Sequence, residues 1–129
     1  MNEERTLLAV NGTLMRGLEL NPNLLAAGAE FVREDFTVAS YRLYSINDRH
    51  PGMVRVPTDG VFVAVEVWSV PPQGLASILL KEPPGLCIGK VSLLSGAEML
   101  GVVAEPILCE RQRDISAFGG WRAYCAARS

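Results

Sequence analysis

The chain has 129 residues, 49% of them apolar and 20% charged, with 12 basic against 14 acidic residues and a formal net charge of −2. That supplies one core and no more, so residues 1–129 read as a single globular domain, and intrinsic disorder is excluded. The charges are interspersed and slightly acidic in balance, which excludes the basic footprint of a nucleic-acid binder.

No apolar run approaches the roughly 20 residues that span a bilayer, since the richest stretch, Val61 to Val70, already contains Glu66. The first residues lack the basic and apolar regions of a signal peptide, so a cytoplasmic location without membrane association is expected. Cys87, Cys109 and Cys125 are odd in number, lack CxxC spacing and have only His50 to join them. They read as reduced, buried thiols, and neither a metal nor another cofactor is expected.

Thr6 to Val10 is an apolar run ending in Asn11-Gly12, which predicts a buried strand delivering a turn. Asn21-Pro22-Asn23 predicts a short helix with Asn21 as N-cap, Pro22 at the first helical position and Gly28 as the stop. Glu30 to Ile46 alternates in part and predicts one bent strand or two. Pro51-Gly52 predicts a turn, Met53 to Val56 a brief strand, and Val61 to Val70 a strand apolar on both faces and therefore central in its sheet. Gln73 to Lys81 places Leu75, Ile78 and Leu79 at helical spacing, and Glu82-Pro83-Pro84-Gly85 stops that helix. Cys87 to Leu94 and Met99 to Glu105 flank Ser95-Gly96 as a hairpin. A short helix around Trp121 closes the chain, with Phe118, Trp121 and Tyr124 spaced to share one face as core. About six strands against two or three short helices predict a strand-dominated α+β domain, a small mixed barrel with helices packed against it.

Three loops differ from ordinary turns: Asn11 to Gly17, Glu82 to Gly85, and Phe118 to Trp121. In the first, a strand end followed by a helical turn presents backbone N–H groups and the Thr13 hydroxyl, with Arg16 one turn on and no acidic residue, the makings of an anion nest. A plain strand-to-helix turn is the alternative. Glu82 ends a helix ahead of two prolines that fix its direction, and a helix C-terminus disfavours an anion, which lifts a carboxyl toward the general-base range; a solvated helix-end charge is the other reading. Glu66, on the central strand, reads as a buried hydrogen-bonding group that orients a loop. A Cys–His or Ser–His nucleophile would have to recruit His50 from the turn Asn47 to Gly52, and we set it aside.

Gly12-Thr13-Leu14-Met15-Arg16-Gly17 resembles the strand-end loop of the gamma-glutamylcyclotransferase-like superfamily, which grips a substrate carboxylate. Tyr41-Arg42-Leu43-Tyr44, Pro51-Gly52-Met53-Val54-Arg55-Val56, Glu66-Val67-Trp68, Ile88-Gly89-Lys90-Val91 and Asp114 to Tyr124 are similar to the C-terminal domain of allophanate hydrolase, over nearly the whole chain. The resemblance implies the small mixed fold and a link to allophanate and urea nitrogen metabolism. The accessory domain carries a His in the first loop where this chain has Leu14, and the amidase signature that makes its substrate is absent. In the cyclotransferase branch the base is a Glu after a helix, and Glu82 holds a similar place ahead of Pro83-Pro84-Gly85.

The expected site therefore holds a small carboxylate-bearing amide or carbamate between Asn11, Gly12, Thr13, Leu14 and Arg16 on one side and Glu82, the catalytic acid/base, on the other, with Tyr44 and Glu66 orienting the pocket. The alternative expectation is a non-catalytic accessory subunit or ligand-binding partner of a separate amidase. Oligomeric state is not fixed by the sequence.

Overall fold

A computed structural model describes residues 4–128. The strands are β1 (Thr6–Val10), β2 (Glu30–Phe36), β3 (Tyr41–Ile46), β4 (His50–Arg55), β5 (Ala64–Val70), β6 (Leu86–Ser92), β7 (Glu98–Ala104) and the two-residue β8 (Arg113–Asp114). The helices are α1 (Asn21–Ala26), α2 (Pro72–Lys81), α3 (Pro106–Cys109) and α4 (Trp121–Arg128), with a 3-10 turn at Ser116–Phe118. Five strands form one sheet in the order β2-β5-β1-β7-β6, and three form a second in the order β4-β3-β8. The β1–β7 pair is parallel and every other named pair antiparallel.

The strand expected over Val61 to Val70 begins at Ala64, and it is an interior strand, as its two apolar faces require. β5 lies between β1 and β2, with Val65, Val67, Trp68 and Val70 buried alike. One main core draws on both sheets: Leu8, Val10, Val67 and Val91 from the first pack with Tyr41, Leu43 and Met53 from the second. The Tyr41 hydroxyl accepts from the Ser92 N–H at 3.2 Å and ties the sheets together. Trp121 and Tyr124 enter this core as expected, their ring centroids 5.6 Å apart, whereas Phe118 stands in the 3-10 turn and stays partly exposed.

The mixed α+β class holds, but the expected barrel is not what the hydrogen bonds build. Beyond the edge strands β2 and β6, one bridge forms between Thr37 and Leu93, supported by Val38 N–H to Ser92 O at 3.1 Å and Leu94 N–H to Phe36 O at 2.8 Å. The chain then leaves for β3 in the other sheet, so among the described residues no sheet closes on itself.

Three local expectations change. Glu30 to Ile46 is two strands, and they belong to different sheets. Pro51-Gly52 lies inside β4, opposite Ser45 and Tyr44. That is an edge strand, where a residue without an N–H is tolerated, and the turn is made instead by Asn47 and Asp48 at φ 52° and 58°. Asn21 is the first residue of α1 rather than its cap; its buried amide donates to the Leu14 carbonyl at 2.9 Å and so braces the loop after β1.

Candidate functional site

The loop after β1 leaves the middle of the five-stranded sheet. Asn11 anchors it: its side-chain amide donates to the Val102 carbonyl of β7 at 2.9 Å and touches the Met53 sulfur of β4 at 3.8 Å. Gly12 then passes the ring of Pro51 so closely that a Cβ there would lie 2.5 Å from Pro51 Cδ. Beyond it the loop folds on itself, Met15 N–H to Gly12 O at 3.0 Å and Leu20 N–H to Thr13 O at 2.9 Å. Among the described residues, no protein acceptor meets the N–H groups of Gly12, Thr13 and Leu14. Three successive amides without a protein partner are the physical content of an anion nest.

These residues line a narrow cleft together with His50, Pro51, Glu82, Leu86 and Val102. Glu82 caps the C-terminal end of α2 in an extended conformation. Burial pushes its carboxyl up to about 7, and no protein donor among the described residues opposes that shift. A carboxyl near neutrality that holds or releases a proton at little cost is suited to general acid/base work. The cause is desolvation rather than the helix end invoked from sequence.

The structure thus brings Asn11, Gly12, Thr13, Leu14 and Glu82 together. It places Arg16, Glu66 and Tyr44 elsewhere. Glu66 is buried, and burial alone would raise its pKa. The Arg16 N–H at 2.9 Å, Arg122 Nη2 at 3.0 Å, Trp68 Nε1 at 3.2 Å and Arg16 Nε at 3.2 Å outweigh that and hold it below the ordinary carboxylate value. It orients the loop by pinning Arg16. The Arg16 guanidinium also meets Glu34 at 3.3 Å and stacks 3.7 Å over the Phe31 ring, so its charge is already engaged away from the cleft. Tyr44 packs instead against the small cluster of Ile46, Ala104 and Cys109.

Sequence reasoning set His50 aside as a nucleophile's partner and did not place it in the cleft. It opens β4 after the Asn47-Asp48 turn, a placement that local pattern does not reveal, and only the pairing of β4 with β3 carries it to the cleft. The Phe118-Gly119-Gly120-Trp121 loop lines a different groove of about 820 Å³, with Met15, Phe36, Glu66 and Arg122. Among the described residues no three His, Cys, Asp or Glu side chains converge as metal ligands would, all three cysteines are free, and no helix is long and apolar enough to cross a membrane.

Residues 6–126, nearly the whole chain, match the family described as the allophanate hydrolase C-terminal domain. The chain belongs to that family. The urea amidolyase of Saccharomyces cerevisiae is 31% identical over 124 residues, which cover 91% of this chain and 7% of that protein. In the allophanate hydrolase of Kluyveromyces lactis the match has 28% identity and a TM-score of 0.92, covering 98% of this chain and 22% of that one. The uropathogenic Escherichia coli-specific protein c4763 is 59% identical, with a TM-score of 0.94 and coverage of 95% of this chain and 97% of its own. The fold is shared with a mouse AIG2-like protein, at 21% identity and a TM-score of 0.65 over 81% of this chain and 82% of that one. This chain spans a small fraction of the amidolyase it matches.

Proposed function

We propose that this domain binds a small ligand bearing a carboxylate beside an amide or carbamate, and that Glu82 moves a proton on it. The carrying observation is the presence, in the lining of one cleft, of three amides without a protein acceptor and a carboxyl raised to about 7. The N–H groups of Gly12, Thr13 and Leu14 hold the ligand's carboxylate. Glu82 takes a proton from the attacking group, an amine or water, and returns it to the nitrogen that departs when the C–N bond breaks. Its pKa near 7 lets it serve as base and then as acid without a net proton change. The family relation ties this chemistry to allophanate and urea nitrogen metabolism.

The experiment is turnover of γ-glutamylalanine and malonamate by the wild type and by Glu82→Gln, with malonate binding measured on both. Glu82→Gln retains malonate affinity and loses turnover by at least about a hundredfold. Equal turnover in the variant removes Glu82 from the mechanism.

A second reading, an accessory subunit of a separate amidase, is favoured by one observation: the yeast relative carries its matching region as 7% of a much longer chain. Co-purification with an amidase together with no turnover by the isolated domain supports that reading over the first.

A further inference from the structure

His50 shares the cleft with Glu82 but was assigned no part in the chemistry above. Its position is unusually well fixed. Asn47 and Asp48, both at positive φ, make the tight turn that precedes it, with Arg49 N–H bonded to Ile46 O at 3.0 Å. The turn is held from outside. The Gln112 side chain accepts from the Asn47 N–H at 3.0 Å, while Asp48 Oδ1 accepts from the Ser45 and Tyr124 hydroxyls, each at 2.6 Å, and faces Arg128 at 3.4 Å. The next residue, Pro51, is wedged against Gly12 and so locks this turn to the anion loop.

The imidazole is oriented too. Nδ1 lies 3.1 Å from the Pro51 carbonyl oxygen, which can only accept, so Nδ1 is the donor there and the lone pair of the neutral ring belongs to Nε2. A backbone carbonyl that fixes the tautomer of a cleft histidine leaves the other nitrogen ready to take a proton. His50 also lines the outer groove, about 1080 Å³, that adjoins the cleft through Thr13 and His50 itself.

We propose that His50 is the second acid/base group of this site, its Nε2 exchanging a proton with the ligand opposite Glu82. The inference rests on the proposed function and deepens it: two proton-transfer groups in one cleft suit a substrate in which one nitrogen or oxygen is deprotonated while another is protonated. Glu82 then need not carry both transfers. The charged and titratable groups around His50 are Glu82 and Lys81 at the end of α2, Glu19 in the loop before α1, Asp48 and Arg49 in its own turn, and Arg128 on α4. Asp48 and Arg128 are paired with each other.

His50 is the chain's only histidine, so its Cε1–H resonance reports on it directly in an NMR spectrum of the full chain. Saturating malonate shifts the His50 resonance together with the amides of Gly12, Thr13 and Leu14. With γ-glutamylalanine or malonamate, His50→Gln lowers kcat at least about a hundredfold and leaves KM within about threefold. Malonate moving the loop amides but not His50 overturns the inference, as does unchanged turnover in His50→Gln. Silence of the loop amides toward malonate is a separate failure, that of the carboxylate-binding reading, and the turnover of His50→Gln still decides the place of His50.

Discussion

At the scale of the residue, Glu82 sets a conflict between stability and readiness for chemistry. Its carboxyl is raised from 4.5 to about 7 in the folded chain, with burial as the cause. Below pH 4.5 the group is protonated in both states and costs nothing. Between 4.5 and 7 the unfolded chain releases the proton first, so the folded state loses stability as pH rises, and the loss is complete above about 7. A shift of this size corresponds to at most about 3 kcal/mol. Glu82→Gln removes the penalty: its melting temperature matches the wild type near pH 4 and exceeds it increasingly up to pH 8. A constant difference across that range would show that the carboxyl is not desolvated. Glu66 has the opposite sign, its stabilisation present above the unfolded value and lost as the solution is acidified. Both carboxylates could be singled out from sequence, one for its place between a helix and two prolines, the other as the lone charge on an apolar strand. Arg16 could be seen near the loop, but its capture by Glu66 and Glu34 depends on strands distant in sequence.

At the scale of the element, the loop after β1 and β4 are a single construction. Gly12 and Pro51 meet at a distance no side chain can share, and Pro51 is buried in a strand rather than free at a turn. Gly12→Ala therefore forces the loop off β4, with a cost of about 1–3 kcal/mol and loss of malonate binding. Denaturant titration and calorimetry on that variant check both, and a variant that binds malonate normally contradicts the fit. The closing helix behaves as its spacing predicts: Trp121 is buried in the main core, so Trp121→Ala lowers stability by about 3–5 kcal/mol. An unchanged melting temperature would place that ring outside the core. Periodicity revealed β1, β5, α2 and the β6–β7 hairpin. It did not reveal α3 or β8, which span four and two residues and are too short to display a period. The Pro51-Gly52 strand stayed hidden because its residue types signal a turn wherever an edge position is not known.

At the scale of the whole molecule, the topology explains why one cleft gathers groups from distant parts of the chain. β1 runs through the middle of the five-stranded sheet, so its end is flanked by β7, while β4 of the second sheet reaches over it. The loop contributes amides, the C-terminal cap of α2 contributes Glu82 and the first residue of β4 contributes His50. The α+β class was legible because strand and helix patterns separate along the sequence. Open sheets, as opposed to a closed barrel, were not, since closure depends on edge pairing beyond Thr37 and Leu93. The central claim is that this junction holds a carboxylate opposite Glu82, and a crystal structure with malonate tests it most directly. The account predicts one carboxylate within hydrogen-bonding distance of the Gly12, Thr13 and Leu14 N–H groups, with Glu82 on the facing wall. Malonate seated in the Phe118–Trp121 groove, with the loop amides bare, would contradict it.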